Sequence, residues 1–577
     1  MTTGTADKTS KLARKLSTGV GYLTVALTLL VLFFFLVLPV SVIVGKAFLT
    51  PDGSFTLDYF KLLWQNTLQL SSIGNSLWIA VATMILTTIV SLPLALINAR
   101  CDYRGKTLLS GLLLVPIVMP PFVGALGIQK IFAQYGSLNL LLMKWGIIAE
   151  NEPIRWLSEG NHFWAVVILE TLHLYPIMYL NIMAALSNID PSMEEMASTL
   201  GVKKWRQLKD IVWPLARPGY FAGAIIVFIW AFTDLGVPLL IGFHDTIPVQ
   251  IFNMVTDVNE NPIGFALVFI VVLITVAIFI ASKTFLSQNK YAMLTRGHVR
   301  NPVKPVRSFL PVFGIYVFIG AVVVLALFPH ISVLFISFSK EWFMSILPSS
   351  LSLDHYAAVF KQDITLTGIQ NSLYLSALAV LVDVILGVLV AYVIVRKLVP
   401  FPGALDSLVM IPLALPGIVI AFGYVITYTG TFLDPMMNPI PLLVIAYAIR
   451  RLPFMVRSAV AGLQQMSVSL EEASMTFGAS RFYTLRKITI PLVMANLIAG
   501  SLLCFAYAML DVSDSLILAM KDQFYPITKV IYALSLEPGT GMYVASALGM
   551  IAMLILSACI IGASLILGKK MGELFRG

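Results

Sequence analysis

The chain has 577 residues, of which 58% are hydrophobic and only 12% charged. Water-soluble domains carry roughly 25% charged residues, which excludes a string of soluble domains and indicates a lipid-embedded chain. The formal net charge of +9 would suit nucleic acid, but its placement along the chain follows membrane topology, so no nucleic-acid partner is expected.

Residues 1–20 form a basic tail. Segment 21–45 follows, nearly uncharged and longer than the ~20 residues a helix needs to cross a bilayer. It is too long for a signal-peptide core and lacks a small-residue cleavage site, so it is expected to persist as span 1. Similar stretches lie at 75–99, 107–127, 163–187, 214–242 and 262–282. A basic segment, 283–308, carries Pro302 and Pro305 and reads as a linker. The second half continues with 309–338, 371–395, 404–428, 438–464, 491–519 and 541–567, and ends in a tail at 569–577. The expectation is an all-α integral membrane protein of twelve transmembrane helices, because a segment in lipid must satisfy its own backbone groups. With both termini inside, 26 of the 38 lysines and arginines fall in inside segments, nine outside and three within a span. That bias is the positive-inside pattern and orients the chain with N- and C-termini cytoplasmic. Cys101, Cys504 and Cys559 are scattered, form no CxxC pair, and read as small apolar residues.

The two halves repeat each other. Asn75-Ser76-Leu77-Trp78 matches Asn371-Ser372-Leu373-Tyr374 at an offset of 296, as do Leu57-Asp58 against Leu353-Asp354 and the pair Pro116, Pro120 against Pro412, Pro416. Further on the offset falls to 277, relating Glu195 to Glu472, Gly201 to Gly478 and Pro214 to Pro491. The difference of 19 residues fits an insertion in the first copy, expected in the outside loop 128–161. Six spans per copy is an even number, so the copies insert in the same orientation, as a parallel repeat. The domains expected are 21–282 and 309–568.

An inside loop between the fourth and fifth spans of each copy holds the most distinctive pattern. The first, 190–214, reads Glu194-Glu195-Met196-Ala197-Ser198-Thr199-Leu200-Gly201, then Ile211-Val212-Trp213-Pro214. The second, 467–491, reads Glu471-Glu472-Ala473-Ser474-Met475-Thr476-Phe477-Gly478, then Ile488-Thr489-Ile490-Pro491. Each reads as a short surface helix. Asp190-Pro191-Ser192 and Ser467/Ser469 supply start signals, and acids in the first turn suit the helix dipole. Glycine ends the helix, a second basic helix follows, and proline opens the next span.

This pattern resembles the EAA loop of binding-protein-dependent ABC importer permeases. Met196 and Trp213 depart from it in the first copy, Ser474 and Ile490 in the second. The resemblance implies a type I importer fold and assigns Glu194, Glu195, Ala197, Gly201, Glu471, Glu472, Ala473 and Gly478 to coupling with an ATPase. It further implies two copies of that ATPase subunit, a periplasmic or lipid-anchored solute-binding protein, and a bacterial inner-membrane location. No Walker-type G-x-x-x-x-G-K-[ST] occurs in the chain. The permease is therefore expected to be no enzyme and to bind no cofactor, with ATP and magnesium on the partner.

Ionisable residues inside spans are expensive and are candidates for function. Asp234 aligns with Asp511, with Asp514 nearby, and these acids read either as cation-handling groups or as caps that brace a break before Gly236 or Pro238. Glu170 and His173 lie in span 4. Arg450 aligns with His173 and, with Arg451, either attracts an anionic substrate or pairs with Asp511, Asp514 or carbonyls freed by Pro453. The prolines Pro116, Pro120, Pro412 and Pro416 remove helix bonds and are expected to be hinges. No catalytic or resident metal site is expected. Among cargoes, the fused pair most resembles ferric iron permeases, with 2-aminoethylphosphonate, thiamine, polyamine and sulfate permeases as relatives. An ion-coupled secondary transporter would share twelve spans in two repeats but would not need paired docking loops.

Overall fold

A computed structural model describes residue 19 and residues 21–158, 160–255, 262–287, 304–306 and 308–567. The tail 569–577, nearly all of the tail 1–20 and most of the linker 283–308 lie outside the described residues.

Among the described residues, nine unbroken helices are long and apolar enough to cross a membrane. They are span 1 (Gly21–Phe48), span 2 (Thr67–Arg100), span 4 (His162–Ser187), span 5 (Lys204–Thr233), span 6 (Ile263–Ala281), span 7 (Phe309–Phe338), span 8 (Asp363–Val395), span 11 (Arg481–Met509) and span 12 (Gly541–Gly562). Spans 3 and 9 are bent rather than straight. Lys106–Ile117 turns by 87° into Pro121–Lys144, and Pro402–Ala414 turns by 91° into Gly417–Tyr428. Both turns occur where Pro120 and Pro416 are extended, at φ −62° with ψ 125° and 142°. Span 10, Ile440–Gln465, has the length to cross at 26 residues but carries Arg450, Arg451 and Arg457, which lower its hydropathy. Together these helices are consistent with twelve crossings.

The first helix of the second arm of span 3 ends at Phe132, and residues 133–161 lead on to span 4, where the second half has only 429–439 between spans 9 and 10. The extra residues sit where the change of offset put them, and they include a helix, Ser137–Lys144.

Spans 5 and 11 differ from expectation at both ends. At the entrance, Lys204–Gln207 and Arg481–Thr484 are not separate helices. Each runs into its span through a π-helical turn, Leu208–Val212 and Leu485–Thr489. Pro214 and Pro491 follow directly, and the wider turn accommodates the ring and the missing N–H that would disrupt a regular helix. At the far end the helices stop at Thr233 and Met509, and short helices Gly236–Ile241 and Ser513–Leu518 resume after the break.

The halves are intertwined. Span 1, in the first copy, packs on span 9 of the second: Tyr424 and Tyr428 donate hydroxyl hydrogen bonds of 2.7 and 2.6 Å to the carbonyls of Phe35 and Phe34. Those carbonyls lie in a π turn, Phe33–Val37, a local widening that leaves acceptors without helical partners. Gly423 makes the approach close, since a Cβ there would lie 2.9 Å from Pro39 Cβ. The reciprocal contact brings span 7 onto span 3, where a Cβ on Gly127 would collide with the Pro329 carbonyl and lie 2.8 Å from Ser332 Cβ. Gly127 and Gly423 are related by the offset of 296. Valine at either position should lower the melting temperature of the purified chain, at a cost of about 1–3 kcal/mol from overpacking. Gly314, with nothing within 4 Å of its would-be Cβ, should tolerate valine. Equal melting of all three variants would refute this packing.

Candidate translocation cavity and coupling loops

The loop helices form as the capping residues dictate. Pro191–Thr199 begins with Asp190, whose Oδ1 accepts from the Ser192 amide at 2.9 Å. Val468–Thr476 begins at Ser467, but that hydroxyl bonds Ser469 Oγ at 2.7 Å rather than a backbone amide. Both helices end in one motif. The amides of Gly201 and Val202 donate to Ser198 and Ala197 at 3.0 and 2.9 Å; those of Gly478 and Ala479 donate to Met475 and Ser474 at 3.0 and 3.2 Å. This Schellman arrangement needs a left-handed residue after the cap, and Gly201 and Gly478 have φ of +74° and +87°.

Each helix has an inner and an outer face. Ala197 and Ser474 are buried, while Glu195, Glu472, Met196 and Ala473 are exposed. Glu194 and Glu471 belong to the inner side. Arg100, at the end of span 2, holds Glu194 at 2.8 Å. Arg396, at the equivalent end of span 8, grips Glu471 through Nε at 2.9 Å and Nη2 at 3.1 Å, and Thr489 adds a 2.8 Å bond to the same carboxylate. Leu200 and Phe477, also an equivalent pair, project outward at 82% and 91% exposure. Trp205 and Phe482 do likewise. Each loop therefore presents an apolar knob on a rigid turn.

A cavity of about 240 Å³ lies where spans 3, 4 and 5 of both copies meet. Its wall includes Pro120, His173 and Asp234 from the first half and Pro416, Arg450 and Asp511 from the second. Asp234 Oδ2 accepts from the Val237 amide and Asp511 Oδ1 from the Asp514 amide, both at 2.8 Å. The aligned acids thus do the same local job, capping the short helix beyond each break.

Their charges differ in fate. Arg450 Nη1 lies 2.5 Å from Asp511 Oδ2 and 2.8 Å from Asp514 Oδ2. Arg451 Nη2 reaches Asp511 Oδ2 at 2.6 Å and the Tyr507 carbonyl at 2.8 Å. The second-half acids and arginines neutralise one another. In the first half, His173 Nδ1 bonds the Pro116 carbonyl at 2.9 Å. Glu170 is 2% exposed and its carboxyl lies within hydrogen-bonding reach of Asp234. Pro412 sits in a short 3-10 turn, Ile411–Ala414, below the second bend. The predicted span residues and prolines are thus gathered at one place, and the loop residues at another.

The sequence profile of the binding-protein-dependent transport system inner membrane component matches residues 91–288 and again 383–572. The chain belongs to this family. It is a fused pair of ABC importer permease domains. A putative ferric transport system permease protein of Haemophilus influenzae is 28% identical to this permease over 86% of the chain and 77% of its own length. A ferric transport system permease protein of Actinobacillus pleuropneumoniae is 28% identical over 86% and 71%. A molybdenum transport system permease protein of Haemophilus influenzae matches at 26%, covering 99% of itself but 40% of this chain, as a single-domain relative of a two-domain permease would.

Two features of the permease escaped the sequence reading. The inward ties of Glu194 and Glu471 are one; Arg100 and Arg396, equivalent at the 296 offset, carry the signal for them. Asp383 in span 8 is 1% exposed, and neither of its carboxyl oxygens has a hydrogen-bond partner among the described residues. Its signal was an acid inside an apolar run. The loop ties differ in depth, with side-chain exposures of 38% and 29% for Arg100–Glu194 against 10% and 4% for Arg396–Glu471. Breaking a buried pair costs about 3–5 kcal/mol because it strands a charge, whereas an exposed pair contributes roughly 0–1 kcal/mol. Glu471→Gln should therefore destabilise the purified permease clearly more than Glu194→Gln in thermal unfolding; equal losses would contradict the difference in burial.

Proposed function

We propose that this permease forms both halves of the pathway of an ATP-driven importer, with both termini cytoplasmic, and that its cargo is ferric iron. An external solute-binding protein delivers the cargo, and two copies of a separate ATPase subunit bind the loops at Pro191–Thr199 and Val468–Thr476. The observation that carries the coupling reading is the pair of outward knobs, Leu200 with Trp205 and Phe477 with Phe482. They stand at equivalent positions on two rigid, glycine-ended helices, which suits a pair of like partners. Glu195, Ala473 and Glu472 share the exposed side; Gly201 and Gly478 fix the turn.

The cargo reading draws support from the ferric permeases that resemble the chain over most of its length. It also draws on the cavity's charge. An anion would need a free guanidinium, but Arg450 and Arg451 are held against Asp511 and Asp514. Asp234, with Glu170, leaves the first-half wall acidic.

Valine at both Gly201 and Gly478 should abolish co-purification of the ATPase subunit while the permease still inserts, because β-branched residues resist positive φ. Retention of the ATPase by this double variant would defeat the coupling reading. For cargo, cells expressing the intact system should accumulate radioactive ferric iron in preference to sulfate, thiamine, a polyamine or 2-aminoethylphosphonate. Accumulation of one of those solutes without iron would reassign the cargo.

A further inference from the structure

The cavity wall is electrically lopsided. Its second-half face holds two arginines against Asp511 and Asp514, so that face is neutral. Its first-half face holds Glu170 and Asp234, and among the described residues no lysine, arginine or histidine forms an ion pair with either. The equivalent of Glu170 at the 277 offset is Tyr447, whose hydroxyl is satisfied by Ser515 Oγ at 2.6 Å. Among the described residues Glu170 meets only the Asp234 carboxyl. Its Oε1 is buried and has no hydrogen-bond partner among the described residues. A carboxyl pair in the interior of a membrane protein, without a protein cation, is costly and marks an ion pathway.

From this we infer that Glu170 and Asp234 form a transit site for a hard, multivalent cation, resting on the import reading above. Carboxylate oxygens suit hard cations, and the two acids supply negative charge that the second-half arginines do not cancel. Among the described residues no group of three or more His, Cys, Asp and Glu could hold a metal ion. Two carboxylates with water completing the shell would bind a cation weakly. A conducting site needs that weakness, because binding must be strong enough to admit an ion and weak enough to release it. Asp234 contributes one oxygen to the Val237 amide, so the helix beyond the break is part of the site, and cation binding there would act on the segment that Asp234 caps.

The test uses the full-length chain in lipid nanodiscs with terbium(III) as the probe, read by luminescence sensitised by cavity aromatics such as Trp230. Saturable binding should weaken by roughly tenfold or more in Glu170→Gln and in Asp234→Asn, the scale seen even for outer-shell ligand changes. Glu152→Gln, on the exposed loop between spans 3 and 4, should bind as the parent does. Unchanged binding in both cavity variants overturns the inference. A second measurement needs no substitution: terbium should protect Glu170 and Asp234 of the parent protein from a hydrophobic carbodiimide, mapped by mass spectrometry, and equal labelling with and without terbium overturns it too. Failure of the iron reading has a different signature. The chain would still bind terbium at the pair, while cells carrying the parent system would accumulate no ferric iron.

Discussion

Backbone that leaves helical geometry inside an apolar span must find hydrogen-bond partners other than lipid. The permease breaks its helices in this way in spans 3, 5, 9 and 11, and much of its interior polar chemistry answers those breaks. At the first bend, Tyr175 donates to the Leu113 carbonyl at 2.8 Å and His173 bonds that of Pro116. His330, from span 7, faces the Pro120 carbonyl across the interface between the halves at 3.4 Å. At the ends of spans 5 and 11 the acids cap the resumed helices. Beyond Asp511, Ser515 and Thr528 hydroxyls donate to its carbonyl at 2.6 and 2.7 Å, and Lys529 Nζ donates to that of Leu516 at 2.6 Å. The cavity is the place where these breaks converge, so its polar lining follows from how the backbone is rescued there.

A duplicated scaffold does not require a duplicated lining. The capping acids Asp234 and Asp511 are common to both copies because both copies share the break. Around them the copies diverge: Arg450 and Arg451 stand where the first copy has His173 and Leu174, Asp514 where it has Val237, and Tyr447 where it has Glu170. The second copy therefore sets two cations beside its two acids, a combination that keeps buried charge balanced. Removing one member of such a network strands another, which couples span 10 to the break in span 11. The first copy carries less charge but leaves what it has unbalanced.

Much of this architecture was legible in the chain itself. Long apolar runs located the spans, and the drop in offset from 296 to 277 located the extra residues between spans 3 and 4. The loop glycines announced the helix ends. Other features were present as letters but mute as signals. Asn75-Ser76 and Asn371-Ser372 served only as markers of the repeat. In the fold, Ser76 and Ser372 accept from the amides of Ile247 and Ile527 at 2.9 and 2.7 Å, capping the helices Ile247–Met254 and Ile527–Leu536 far along the chain. Gly127 and Gly423 are two among 38 glycines, and nothing local distinguishes them from the rest. The crossing of spans 1 and 7 between halves depends on distant surfaces fitting together, which hydropathy does not encode. The break in span 5 was readable from Asp234 before Gly236 and Pro238, whereas in span 11 the equivalent positions are Ser513 and Ser515, and neither glycine nor proline marks it.

The two sites are mechanically continuous. Span 5 runs as one helix from Lys204, three residues past Gly201, to Thr233 at the cavity wall, and span 11 repeats this from Arg481 to Met509. At 1.5 Å per residue such a helix is about 45 Å long. The loop helix is pinned to its base: Gln207 Nε2 donates to Ser198 Oγ and the Val202 carbonyl at 2.9 and 2.7 Å, and Thr484, its equivalent, shares a 2.9 Å bond with Ser474. Arg100 and Arg396 pin the same loop helices to spans 2 and 8. A force on the outer knob thus meets a lever fixed at its base to two spans and ending beside a capping acid. The π turn at Leu208–Val212 and its counterpart at Leu485–Thr489 is the one irregular element along each lever, and wider turns of this kind are where helices deform. The levers also differ, because the second is anchored by a buried bidentate pair and the first by a part-buried single contact. Equal pushes on the two loops would therefore reach the two walls of the cavity unequally, on a structure whose walls are already unequal in charge.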